Sequence, residues 1–334
     1  MHTNLTMEHF LVYLKPMAHT RRDIKRHRTA QENGELNKTS IFIALAADIA
    51  IAITKFIAAI VTSSSAMLSE GIHSLIDSMN EVLLLLGLQQ SKKPADEERP
   101  FGYGKELYFW SFIVSMLIFI LGGGISLYEG INRLLNPQPI TNVWWNYIVL
   151  AVAFVFNLLS SITAYKVFNK DRGDETFWDS FTRSKDPSTF VVLFEDVAGI
   201  LGIVVAFVGV YLGSHFNNQY ADGIASILIG IILIAFSLVL LRESRSLLMG
   251  ETIHKETLAD IIAITESDAC IVKVERNFSM YMAPEEVLLQ LMTVFHKDLT
   301  TQQILDSIDR INKMIRDKYP RVKQLFIELV RDNG

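Results

Sequence analysis

The stretch MLSEGIHSLIDSMNEVLLLLGL, Met67–Leu88, is apolar enough at its far end to lie in lipid, yet Glu70, His73, Asp77, Asn80 and Glu81 crowd its first half. His73 and Asp77 stand four residues apart, which places them one above the other on one face of a helix. Asn80 and Glu81 continue that face by another turn. A neutral imidazole and an ionised carboxylate at this spacing are suited to holding one divalent cation together. Two ligands from one helix leave the metal shell incomplete, so a second helix has to supply the rest. In STFVVLFEDVAGILGIVV, Glu195 and Asp196 lie about one turn into another apolar stretch. Adjacent helical residues point about 100° apart, so only one of the two aims squarely at the partner helix. His73, Asp77 and Asp196 give one nitrogen and two carboxylates, a donor set that favours zinc ahead of manganese, iron(II) and cobalt. The fourth position is open to Glu195, a second carboxylate oxygen or water. Gly199, three residues past Asp196, lets a neighbouring helix approach closely.

Such groups belong inside a bundle, because an ionised side chain at bilayer depth costs at least about 2.5 kcal/mol on insertion scales. The chain as a whole is built for a bilayer: half of its 334 residues are hydrophobic and only 20% are charged. Apolar runs pass the roughly 20 residues that a spanning helix needs. Hydropathy places six spans, at Thr39–Val61, Ala66–Leu88, Leu107–Leu134, Val143–Val167, Thr189–Leu212 and Ala221–Leu241. Gly122, Gly123 and Gly124 mark a close-packing or bending point in the third.

Orientation follows from the basic residues of the links. The amino-terminal tail carries RRDIKRHR, the link between spans two and three has Lys92, Lys93, Arg99 and Lys105, and that between four and five has Lys166, Lys170, Arg172, Arg183 and Lys185. TSSS (Thr62–Ser65) and GSHFNNQ (Gly213–Gln219) hold no Lys or Arg, and the remaining link on that side has only Arg133. Both termini are therefore expected in the cytoplasm. The start of the chain has no apolar core of a cleavable signal, and a short basic tail without a clear presequence suits a bacterial inner membrane better than an organelle. The single cysteine, Cys270, rules out an internal disulfide framework and a multi-cysteine zinc site.

The reading divides the chain into a polar, basic cytosolic tail over 1–38, a six-helix membrane domain over 39–249, and a cytosolic α+β domain over 250–334. In the last, KETLADIIAITESD reads as a helix and CIVKVERNFSMYM as a strand. EEVLLQLMTVF follows a turn as its hairpin partner, TTQQILDSIDRINKMIRDKY is an amphipathic helix capped by Thr300 or Thr301, and RVKQLFIELV closes as a strand.

Four motifs in order, SSSAMLSEGIHSLIDS, SKKPADEERPFGYGKELYFWS, GGGISLYEG and LRESRSLLMGE, resemble the cation diffusion facilitator family, in particular the branch containing the mitochondrial zinc transporter of animals. The likeness runs from Ile41 to Val330. It implies a six-helix transporter with a ferredoxin-like, metallochaperone-like cytosolic domain, working as a homodimer and exchanging a divalent metal for protons. In that family the central site is built from paired motifs on helices two and five. His73 and Asp77 match the first pair and Asp196 the second, while Val192 stands where the family has histidine, leaving the fourth ligand open. Arg99 and Tyr103 stand in a loop where many members carry histidines, so a second metal site there is expected to be absent or altered.

Other ionisable residues have plainer readings. Asp48 and Lys55 share a face and are expected to pair; Glu70, near the start of its span, serves either the helix's amino end or substrate guidance, and Asp222 opens span six as a helix-start carboxylate. PADEERPFGYGK reads as a solvated connector or a salt-linked one. Cys270, His254 and His296 read as structural before regulatory. The functional expectation is efflux of a divalent cation, zinc first, with protons as counter-ion and no resident cofactor. The alternative is a membrane metal sensor that binds without transport. Neither His-Glu-x-x-His nor a Lys-bearing phosphate loop occurs, so an intramembrane enzyme and an ATP-driven pump are not expected, and nothing points to nucleic acid.

Overall fold

The computed structural model describes residues 45–46, 48–172, 185 and 187–331. The basic tail over 1–38, the start of the first expected span and Arg183 lie outside the described residues. Helix α1 covers 48–62. It is followed by α2 (Ser65–Ser91), α3 (Glu106–Leu135), α4 (Val143–Arg172), α5 (Pro187–His215) and α6 (Ala221–Met249). Five of these, α2 to α6, are long and apolar enough to cross a membrane. The chain is thus a multi-pass membrane protein.

Helix α6 stops at Gly250, whose left-handed backbone (φ 108°) suits a residue without a Cβ. Then come α7 (Lys255–Glu266), β1 (Ile271–Ala283), β2 (Glu286–Phe295), α8 (Thr301–Lys318) and β3 (Val322–Leu329). The helix, strand, strand, helix, strand order is the one the sequence pattern gives. The sheet runs β1-β2-β3, with β1 antiparallel and β3 parallel to β2. Ile261, Leu289, Leu291, Ile311 and Ile315 fill the core between the two helices and the sheet. Thr300 caps α8 in a reciprocal box with Gln303.

Two devices fix the bundle. One is a glycine seam between α3 and α6. Gly122, Gly123 and Gly124 end a π-helical segment, Ile118–Gly124, inside α3. A Cβ on Gly130 would sit 2.8 Å from the Gly223 carbonyl oxygen, and one on Gly230 would sit 3.0 Å from that of Gly123, so the two backbones touch. The other is Asp222. It opens α6, but it caps α2: its carboxylate accepts from Ser64 Oγ (2.5 Å), Ser65 N (2.6 Å), Ser65 Oγ (2.9 Å) and Ala66 N (3.3 Å). Arg133 Nε lies 3.3 Å from the same carboxylate, which explains the one basic residue on the otherwise Lys- and Arg-free side. Arg133 also donates to the Ser63 carbonyl, and Thr141 N donates to the Thr62 carbonyl at 3.0 Å. The three weakly charged links meet at one end of the bundle.

At the opposite end the Lys-rich link meets the sheet domain. Gly104 abuts the Met282 carbonyl, Tyr108 joins the core containing Leu247 and Tyr281, and Lys185 Nζ lies 2.6 Å from Glu251 Oε1. The connector is salt-linked rather than merely solvated: Arg99 Nη1 is 2.9 Å from Glu106, Tyr103 donates to Asp96 at 2.7 Å, and the Arg99 guanidinium stacks 4.7 Å over the Tyr103 ring.

Asp222→Ala leaves Arg133 without its carboxylate and uncaps α2. Removing one partner of a buried pair costs about 3–5 kcal/mol, so the detergent-solubilised protein is expected to melt markedly lower; an unchanged melt contradicts the assignment. In the sheet domain, burial of Asp268 favours its protonated form, but hydrogen bonds from Cys270 N, Ser307 and Arg310 outweigh it and hold the carboxyl below its ordinary range. A carboxyl lowered on folding stabilises above its unfolded value of about 3.9 and loses that contribution as pH falls through the folded value. Asp268→Asn is expected to destabilise at neutral pH, with the gap to wild type narrowing below about pH 4. Thermal melts across pH check this, and a gap constant down to pH 3 contradicts it.

Candidate metal centre

Polar groups on α2 that lipid disfavours all turn inward. Glu70, His73 and Asn80 are buried, and Asp77 and Glu81 are partly so. Helical spacing puts these residues on one stripe, and α5 packs along it.

His73 Nδ1 lies 3.2 Å from Asp77 Oδ1, although the two are misaligned for a hydrogen bond. Across the seam it is Glu195, of the adjacent pair, that faces α2: Asn80 Nδ2 donates to Glu195 Oε1 at 2.5 Å. Asp196 turns toward α4, where Ser160 Oγ donates to it at 3.3 Å. The sequence reading placed Asp196 foremost and Glu195 as one option for the fourth ligand; the helix phase gives Glu195 the direct contact. Val192 is 38% exposed, on the outer side of α5. One turn further along α5, a Cβ on Gly199 would sit 3.3 Å from His73 Nε2 and 2.9 Å from Asn157 Oδ1. The glycine therefore leaves room where the imidazole reaches toward α4.

Several fully buried atoms in this seam have no hydrogen-bond partner: both ring nitrogens of His73, Asp77 Oδ1 and Asn80 Oδ1. A buried polar atom left unpaired costs about 1–3 kcal/mol, and here nitrogen and oxygen donors with that deficit lie side by side. That set suits a divalent cation. No group of three or more His, Cys, Asp or Glu side chains among the described residues is gathered as a finished cage. The contacts are pairwise, His73 with Asp77 and Asn80 with Glu195.

The expected Asp48–Lys55 pair does not form. Lys55 Nζ binds Glu70 Oε2 at 2.8 Å instead. Glu70 thus serves no helix start. Asn157 and Ser160 on α4 were not singled out from the sequence; their spacing, three apart in an apolar span, was the available signal. In the sheet domain, the Cys270 carbonyl accepts from His296 N at 2.9 Å and its sulfur lies 3.9 Å from Arg310 Nη2. Both are structural contacts.

The profile of the cation efflux transmembrane domain family matches residues 41–249. Proton-coupled zinc antiporter SLC30A9, mitochondrial, of Xenopus laevis is 33% identical over 258 residues, covering 76% of this chain and 46% of that protein. Its Homo sapiens counterpart is 34% identical over 219 residues, covering 65% and 39%. The chain spans less than half the length of these animal relatives. Manganese efflux system protein MneP of Bacillus subtilis is 24% identical over 306 residues, 90% of this chain and 98% of that protein.

Glu195→Gln keeps the Asn80 contact but removes a carboxylate from the seam. It is expected to weaken zinc binding at least about tenfold, more than Asp196→Asn does. Titration calorimetry on the two purified variants checks the ranking, and the reverse order contradicts the geometry.

Proposed function

The chain belongs to the cation diffusion facilitator (cation efflux) family, a family of transporters and not of enzymes, and on that premise we propose that it exports a divalent metal, zinc first, in exchange for protons. The observation that carries the proposal is the group of buried, unpartnered atoms on α2, both ring nitrogens of His73 and Asp77 Oδ1, beside the Glu195 carboxylate that Asn80 holds at 2.5 Å. A buried carboxyl that lacks a counter-ion keeps a proton rather than an uncompensated charge. A divalent cation needs deprotonated ligands, so its binding there expels that proton, and reprotonation expels the cation. One site thereby binds the two ions alternately. The imidazole of His73 favours zinc over harder cations, and manganese, iron(II) and cobalt follow.

His73, Asp77 and Glu195 form the proposed site, with Asp196 one step away on the α4 side. A cation enters from the cytoplasm, is held between α2 and α5, and leaves at the end where Asp222 caps α2. Both termini are cytoplasmic in this reading, in keeping with the basic links gathered at the sheet-domain end. The domain limits proposed from the sequence, 1–38, 39–249 and 250–334, fit the same scheme. A bacterial inner membrane remains the reading from the short basic tail, whereas the animal relatives at 33% and 34% identity are named as mitochondrial. The exposed Phe326 and Leu329 on β3, with Leu305 and Met314 on α8, support pairing of two copies through the sheet domain.

Purified protein in sealed liposomes is expected to move zinc faster under an imposed pH gradient, and Asp77→Ala to reduce flux to under about a tenth of wild type. Equal rates with and without the gradient reject proton exchange. Zinc bound tightly with no flux favours the metal-sensor reading instead.

A further inference from the structure

The α2–α5 seam does not end at His73. It steps through three levels: Glu195 against Asn80, Gly199 against His73, and Gly202 against Glu70. Glu70 lies three residues before His73, about 4.5 Å along the helix axis toward the start of α2. Its side chain is fully buried, with Oε2 bound to Lys55 at 2.8 Å and Oε1 lacking any partner. That free oxygen faces Gly202, where a Cβ would collide with it. Lys55 is equally buried and also donates to Ser74 Oγ at 2.8 Å, next in sequence to His73. Its charge acts through space on both His73 and Asp77.

A clamp joining α1 to α2 would account for the ion pair alone. It does not account for a fully buried carboxylate oxygen left unpaired, nor for the glycine that keeps space opposite it. The same two features, a buried donor without a partner and a facing glycine, mark His73 one level away.

We propose that Glu70 is a further cation station on the exit side of the transport residues, and that Lys55 is a built-in rival cation that competes for it. At rest the ammonium occupies Glu70. A divalent ion passing His73 meets the free Oε1 and displaces the ammonium toward Ser74. The returning ammonium then displaces the ion, so zinc is held weakly enough to leave. The inference rests on the transport reading above.

The test measures zinc affinity and liposome turnover in wild type and four variants. Lys55→Met removes the rival and is expected to tighten zinc binding at least tenfold while slowing turnover at least tenfold. Glu70→Gln leaves the ammonium uncompensated and is expected to weaken binding at least tenfold. A clamp would instead shift both variants in the same direction, together with a loss of stability. Because either single change can impair folding, Lys55→Met/Glu70→Gln replaces the pair with neutral groups of similar shape; it is expected to fold yet turn over at least tenfold more slowly. Gly202→Ala, which fills the space beside Oε1 without altering charge, is expected to slow turnover likewise. Wild-type turnover in the double variant, or parallel affinity shifts in the single ones, overturns this inference alone. Wild-type protein that neither binds nor moves zinc overturns the transport reading and this inference with it.

Discussion

Lipid offers no hydrogen bonds and almost no dielectric relief, so each ionisable group in a spanning helix must find its partner inside the bundle. That constraint organises the chain. Lys55 of α1 pairs with Glu70 and Glu195 of α5 with Asn80, each contact joining α2 to a neighbour. What remains is a row of nitrogen and oxygen atoms on α2 that the protein itself does not satisfy. A buried polar row of this kind calls for a further partner, and a divalent cation shared with α5 is the one proposed.

The rest of the bundle keeps that row in register. Asp222 grips the first residues of α2 from the start of α6, and Arg133 of α3 closes the same cluster, so three helices fix the axial position of the stripe. The glycines of α5 bring its backbone close to His73 and Glu70, while those of α3 and α6 lock the opposite side of the bundle. At the other end, Tyr108 and Leu247 share a core with the sheet domain, so α3 and α6 pack directly into that domain.

Much of this was legible in the sequence. The apolar runs fixed α2 to α6 to within a few residues, apart from α6, which continues for two further turns beyond Leu241 because its polar RESRS segment stays helical against the sheet domain. The alternation and capping signals gave every element of the sheet domain in order. The His73–Asp77 pair was visible because i and i+4 share a helix face whatever the tertiary structure. The helix phase of α5 was not: Glu195 and Asp196 are both plausible neighbours until packing chooses between them. Nor was the partner of Lys55, because pairing within one helix and pairing across two leave the same residues in the sequence. The glycine opposite each buried donor carries no one-dimensional signal at all.

The central claim, a divalent ion held by His73 and carboxylates between α2 and α5, is tested most directly by zinc K-edge X-ray absorption on the zinc-loaded protein beside His73→Ala. The account predicts a first shell of nitrogen and oxygen at about 2.0–2.2 Å, with the imidazole scattering signature lost in the variant. A shell containing sulfur, or a spectrum unchanged by His73→Ala, would place the metal elsewhere and contradict it.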